Sequence, residues 1–559
     1  MNRQDTLTSL KTHSPDVLVV GAGINGVGAF RDLALNGVDV LLVDRGDFCS
    51  GASAASSHMA HGGIRYLENG EFRLVREAVQ ERNRMIGNAP HLVRPLPTTI
   101  PMFKLLSGLL NAPLKFLGWL DKPSERGALV IKIGLMFYDA FTRKQGTVPT
   151  HVFDTRKKAL AKFPRLNPEI RYAATYFDGS IFSPERFTVE LLLDAEAEGA
   201  HAKALNYVSL IGGNGDTVTL RDELTGSTFD LQPKLLVNAA GPWIDFANRT
   251  LNLSTHYVGG TKGSHLVLDN PDLRAAIGGN EFFFENKDGR IVLIFPLGDR
   301  VMVGTSDLSA DDPDSVRCTP EEEEYFIEMV ARVFPDIKVT REQIVFRFSG
   351  VRPLAYTGSS KTTGQITRDH HIQEDKFGNV PVYSLVGGKW TSYRAFSEQV
   401  ADKALAFLGR ARNRDTKSLP IGGGKEYPHT GCARLQFFNE VSKNTGLDKP
   451  WLELFFDRYG TRLRDLAAFV MEQKDAPLEH YPEMTRAEIA FLAEREKVVH
   501  LDDLLLRRTM LAYLGRLTLP LVEELADVLA ESLGWTRAQK QAEVARAARI
   551  LADRHTVRL

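Results

Sequence analysis

VVGAGINGVGAF, residues Val19–Phe30, continues an apolar run near the start of the chain and decides how the rest is read. Asp16–Val20 is short, apolar and β-branched, the pattern of a strand buried on both faces of a parallel sheet. Val27–Asn36 predicts a helix stopped by Gly37. Val38–Val43 predicts a second strand ending at Asp44, roughly 20 residues after the glycines. Each feature suits a dinucleotide. Gly21 allows the tight turn, Gly23 lets the backbone approach a pyrophosphate, and Gly26 lets helix and strand pack closely. The helix N-terminus faces phosphate charge, and Asp44 is placed to accept hydrogen bonds from a ribose.

The chain has 559 residues, more than one compact core accommodates, so two or more domains are expected. Lys and Arg number 69 against 70 Asp and Glu, so there is no long-range field to attract nucleic acid. The three cysteines, Cys49, Cys318 and Cys432, are scattered, which argues against a disulfide framework or a cysteine metal site and for a reducing compartment. The N-terminal MNRQDTLTSLKTHSPD lacks an apolar run of signal-peptide length, and no stretch approaches the roughly 18 apolar residues of a spanning helix. A cytoplasmic protein is expected, or one held at a membrane surface without crossing it.

Farther along, Leu235–Val237 and Ile291–Phe295 read as strands among helical stretches. Pro420 and Ile421-Gly422-Gly423-Gly424 break the pattern, and residues 421–425 are expected to be a linker. Beyond it, residues 426–559 read as amphipathic helices, with Leu504, Leu505, Leu506, Leu514 and Leu517 at core-like spacing. The acidic run Glu321–Glu324 after Pro320 reads as the first turn of a solvated helix.

The stretch HGGIRYLENGEFRLVREA, beginning at His61, resembles the signature of the FAD-dependent glycerol-3-phosphate dehydrogenases. Further matches are NAAGPW from Asn238, KGSH from Lys262, SGVRPL from Ser349, TRDH from Thr367, GGKWTSYR from Gly387, RYGTR from Arg458 and LLRRT from Leu505. The resemblance covers nearly the whole chain. It implies FAD as cofactor and a fold of the glycine and D-amino-acid oxidase type. That fold is α/β, with a Rossmann-like FAD-binding domain assembled from separated segments of residues 1–420. A substrate domain on an antiparallel sheet is interleaved at roughly 90–170 and 255–345, and the helical C-terminal domain follows. By the same resemblance Ser56, Ser57, His61, Ala239, Ala240 and Gly241 pass near FAD, and Gly387, Gly388 and Thr391 lie by the flavin ring, which glycine backbone can approach closely.

Oxidising a phosphorylated secondary alcohol requires a hydride acceptor, a proton acceptor and cations around the phosphate dianion. Arg65, Arg352, Arg368 and Lys389 fall on family motif positions; an arginine fork binds phosphate bidentately, and Lys389 acts as a point charge. Tyr66 adds a hydroxyl. His265 is the expected base and His61 its competitor, which alternatively orients the flavin. Lys389 also suits a developing carbonyl oxygen. The family implies sn-glycerol 3-phosphate as substrate and membrane quinone as electron acceptor. Oxygen as acceptor, another polyol phosphate such as a tetritol phosphate, and a flavin-binding module without turnover are the alternatives.

Three positions depart from the family pattern. His58 stands where lysine is usual, Ala60 replaces a bulkier residue, and Trp390 stands where leucine is usual; all three suggest an altered pocket. Residues 103–120, apolar with two lysines and Trp119, read as an interfacial membrane anchor, or else as helices packed in the substrate domain or a homodimer contact.

Overall fold

A computed structural model describes residues 3–64, 71–104, 128–142, 147–286, 291–357, 369–473 and 475–559. The expected ligands Arg65, Tyr66 and Arg368, and residues 105–120 of the apolar stretch, lie outside the described residues.

The glycine turn joins β1 (Val17–Val20) to α1 (Ile24–Leu35), and the chain returns through β2 (Val40–Val43). The helix begins three residues earlier than the sequence predicts, with Gly23 as its extended N-cap. β2 begins two residues later, because the Val38 N–H closes the helix end by donating to Leu33 O at 3.1 Å. Six strands form the sheet in the order His371–Phe377, Val380–Val386, Leu235–Asn238, β1, β2, Ala202–Leu205. All neighbours run parallel except the edge strand His371–Phe377. Alternation along β1 sends Val17 and Val19 into the core shared with α1, and Leu18 and Val20 into a second core on the opposite face. A strand apolar on both faces is what the unbroken run predicts.

A second sheet of ten described strands carries β3 (Thr261–Leu268) beside β4 (Ile344–Arg352), in a register that sets His265 opposite Phe348 and Thr261 opposite Arg352. The sheet is antiparallel as expected, apart from Glu281–Glu285, which pairs parallel with Val93–Met102. Its two faces bury different partners. Val267, Leu293, Phe295 and Met302 face the C-terminal helices, whereas Leu266, Leu268, Ile294 and Val303 face helices Pro271–Ile277 and Pro320–Val333. The helical C-terminal region therefore shares one continuous core with the sheet.

The acidic run differs from its solvated expectation. Thr319 caps the helix in a capping box with Glu322, yet Glu322 and Glu323 are buried. They turn inward because β3 and β4 present Lys262 and Arg347, and Lys262 Nζ lies 2.7 Å from Glu322. Gly422–Gly424 forms a buried turn: the Gly423 N–H donates to Glu190 at 2.9 Å, and a Cβ on Gly423 would lie 1.9 Å from Tyr459 O.

Glu281 is fully buried, accepts from the Thr98 hydroxyl at 3.0 Å, and is pushed up to about 8 by burial and the nearby Asp178 charge. The folded protein thus holds a proton that the unfolded chain releases above 4.5, so stability falls as pH rises from 4.5 towards 8. Glu281→Gln removes this slope and is expected to melt roughly 2 to 4 °C above the parent at pH 8 and level with it near pH 4.5. Thermal denaturation followed by circular dichroism measures it; equal melting temperatures at both pH values would refute the assignment.

Candidate active site

The turn at the end of β1 leaves no room for side chains. Gly21 has φ +103°, and a Cβ there would lie 2.6 Å from Ala239 O; a Cβ on Gly26 would lie 1.9 Å from Gly21 O. This contact brings the N-terminus of α1 against the end of strand Leu235–Asn238. A cavity of about 840 Å³ opens there, lined by Gly21, Gly23, Asp44, Ala239, Ala240 and Gly241. The expected dinucleotide residues from three distant segments thus converge. Asp44 accepts from the Ala22 N–H at 2.7 Å and the Gly46 N–H at 2.9 Å, while burial lifts its carboxyl to about 6.

Ser53 also lines the cavity, and its hydroxyl accepts from the Ile24 N–H at 2.9 Å, at the first turn of α1. Sequence reasoning passed over it in favour of Ser56 and Ser57. Ser56 Oγ instead accepts from the His58 N–H at 3.4 Å, and Ser57 Oγ lies 2.9 Å from His265 Nε2. Trp243 and Arg45, stacked at 4.9 Å, are further cavity residues whose motif, NAAGPW, was noticed without a role for the tryptophan.

The loop after Val380–Val386 places Gly387 and Gly388 at φ +79° and +95°. A Cβ on Gly388 would lie 3.2 Å from Asn25 Nδ2, so the loop runs beside the start of α1. Thr391, buried, donates to His61 O at 3.1 Å and ties this loop to the HGG segment. Lys389 lies in the same loop, and its charge acts on Glu77 and on His370, which itself sits 3.9 Å from Glu77.

His265 forms a separate group. Its buried ring stacks on Phe348 at 4.8 Å, and burial together with the Arg352 charge holds its proton affinity well below the ordinary value. Arg352 lies over Gly263, where a Cβ would meet its guanidinium at 2.3 Å, and it donates to Thr305 Oγ1 at 2.7 Å and Ser306 O at 3.1 Å, with Asp307 at 3.3 Å. The structure therefore brings together one set around the cavity, one of Lys389, Thr391 and His61, and one of His265, Ser57 and Arg352.

The three departures prove to be packed positions. His58 is fully buried between Phe348 and Tyr513, and burial lowers it to about 4, so it stands neutral. Ala60 is buried opposite Gly179. Trp390 packs on Phe187 and donates its indole N–H to Ser53 O at 3.0 Å.

The cavity fits a flavin dinucleotide in its lining and polarity. Asn25 Oδ1 and Trp243 Nε1, an acceptor and a donor, are buried at its lining with no hydrogen-bond partner among the described residues. The family model described as FAD dependent oxidoreductase matches residues 16–391, and that of the C-terminal domain of alpha-glycerophosphate oxidase matches residues 414–540. A glycerol-3-phosphate dehydrogenase of Synechocystis sp. is 33% identical over 549 residues, covering 94% of each chain. The chain belongs to the FAD-dependent glycerol-3-phosphate dehydrogenase family. Within that family, an aerobic glycerol-3-phosphate dehydrogenase of Staphylococcus haemolyticus is 29% identical, covering 97% of this chain and 95% of the relative. A D-erythritol 1-phosphate dehydrogenase of Brucella abortus is also 29% identical, over 88% of this chain and 94% of the relative. The solved glycerol-3-phosphate dehydrogenase of Bacillus halodurans, complexed with FAD, shares the fold with a TM-score of 0.76 at 23% identity, covering 99% of this chain and 97% of that one.

Asp44→Ala removes the carboxylate expected to meet a ribose, together with its bonds from the Ala22 and Gly46 N–H groups. Its FAD dissociation constant, measured by quenching of flavin fluorescence, is expected to rise about tenfold or more. An unchanged constant would remove Asp44 from the cofactor site.

Proposed function

We propose that the chain oxidises sn-glycerol 3-phosphate to dihydroxyacetone phosphate and passes the electrons to a membrane quinone. The observation that carries this reading is the position of Arg352. It stands on the segment Ser349–Pro353, whose other residues wall the cofactor cavity, so a guanidinium held by Thr305, Ser306 and Asp307 stands next to that wall as a cation for the phosphate dianion. Bound FAD supplies the hydride acceptor, at its N5.

The side chains divide the remaining work. Arg352 holds the phosphate and orients the alcohol carbon. Lys389 places a fixed positive charge at the oxygen that becomes a carbonyl. His265 is neutral at ordinary pH, so its imidazole is able to accept the hydroxyl proton. His61 is the second acceptor: it is half-buried, and its carbonyl is held by Thr391 in the loop that carries Lys389.

Anaerobic mixing with sn-glycerol 3-phosphate is expected to bleach the flavin absorbance near about 450 nm, a wavelength set by the cofactor. Arg352→Met is expected to raise KM about 100-fold, with Arg352→Lys recovering part of the loss. His265→Asn and His61→Asn, compared for the rate of bleaching against pH, separate the two acceptors. Failure to bleach with glycerol phosphate but bleaching with D-erythritol 1-phosphate would transfer the reading to the longer polyol. Peroxide formation in air with no quinone reduction would make oxygen the acceptor.

A surface feature supports delivery to a membrane. Among the described residues no helix is long and apolar enough to cross a bilayer. Yet α2 (Ala128–Thr142) exposes Leu129, Ile133, Met136 and Phe137, with Phe72 packed edge-on to Phe137. These residues recur at helical spacing on one side, as in a helix lying at a lipid interface. Ile133→Glu with Met136→Glu is expected to cut binding to phospholipid vesicles about tenfold while dye-linked turnover continues. Unchanged vesicle partition would sink the membrane contact.

A further inference from the structure

The helical C-terminal domain forms part of the wall of the cofactor cavity. Arg507, Tyr513, Arg546 and Arg554 line it together with the residues of the glycine turn, the last two from α3 (Arg537–His555). Beneath them lies a buried charge network. Asp47, three residues beyond Asp44 in the same cavity loop, is fully buried and accepts from Arg507 Nε at 2.6 Å, from Arg508 Nη1 at 2.8 Å and Nη2 at 3.0 Å, and from Asn206 Nδ2 at 3.0 Å. Both arginines belong to one π-helical turn, Leu504–Arg508. Arg507 also reaches Asp503 at 2.6 Å and Asp502 at 3.1 Å; Tyr207, another cavity residue, donates to Asp503 at 2.6 Å, and Arg546 donates to Asp502 at 2.9 Å.

Every charge in this network has its partner, and it spans the seam between the loop that carries Asp44 and the helices of the far domain. Removing one partner strands a buried charge and frees the loop. At the cavity mouth Arg554 stands with Arg45 and Arg317, and Asp314 is the nearby carboxylate. Arg45 pairs with Asp314, while the charges of Arg317, Arg45 and Arg507 act against that of Arg554, and an anionic diphosphate bound within offsets that repulsion.

We propose that the helical domain is part of the cofactor site: its docking through Asp47, Arg507 and Arg508 and the binding of FAD are coupled, each strengthening the other. Arg508 is then a positioning residue, acting on FAD through Asp47 and the Asp44 loop. Coupling is reciprocal, so FAD must protect the docked domain as much as docking retains FAD.

The test compares holoprotein with the deflavinated parent under limited trypsin digestion, following fragments that have lost the helical domain. FAD is expected to slow their appearance about tenfold. In parallel, Arg508→Met is expected to raise the FAD dissociation constant about tenfold, and Arg508→Lys, which keeps the charge but not the fork, less. A purely structural Arg508 lowers the melting temperature and leaves FAD affinity within about twofold of the parent, which overturns the proposal. Equal digestion rates with and without FAD overturn it as well, and that comparison decides alone should Arg508→Met fail to fold.

Discussion

No side chain fits between Gly21 and the carbonyl of Ala239, or between Gly26 and the carbonyl of Gly21. Those two close approaches let α1 start beside the ends of β1 and Leu235–Asn238, where its first turn borders the cavity. The cavity, the position of Asp44 and the route to Gly387 and Gly388 all follow from that packing. The left-handed φ of Gly21 adds a second reason that no other residue serves there.

The second sheet acts as a two-sided scaffold. Its alternation gives one face to the C-terminal helices and the other to the helix capped by Thr319, so neither layer folds around a core of its own alone. β3 and β4, towards one end of the sheet, hold His265 and Arg352 in adjacent strands, and the segment that ends β4 continues into the cavity wall. The strand that carries Arg352 and the wall of the cofactor cavity therefore belong to one continuous element.

Much of this organisation was legible in the chain. The run before Gly21 announced a strand buried on both sides, and the spacing to Asp44 announced the return strand, because period and turn chemistry are local properties. The motifs around His265, Arg352 and Thr391 supplied residues that the fold brings into two smaller groups, His265 with Ser57 and Arg352, and Thr391 with His61. Other readings failed for a common reason. Ser53 was passed over because nothing in a serine-rich loop tells which hydroxyl meets the helix end. Half of the Glu321–Glu324 run turned inward because its partners, Lys262 and Arg347, are remote in sequence. His58, Ala60 and Trp390 owe their surroundings to Tyr513, Gly179 and Phe187, remote in sequence: the first two are buried and Trp390 is half-buried.

By itself, the sequence determined the nucleotide-binding turn, the parallel strands around it, the helical character of the C-terminal region and the family to which the chain belongs, since all of these rest on short-range pattern or ordered motifs. Only the tertiary structure decided that the helical region shares the sheet's core, that Arg507 and Arg508 close on Asp47, and that α2 shows an apolar side to solvent. Burial and charge pairing between residues hundreds of positions apart are properties of the folded chain, and no local pattern encodes them.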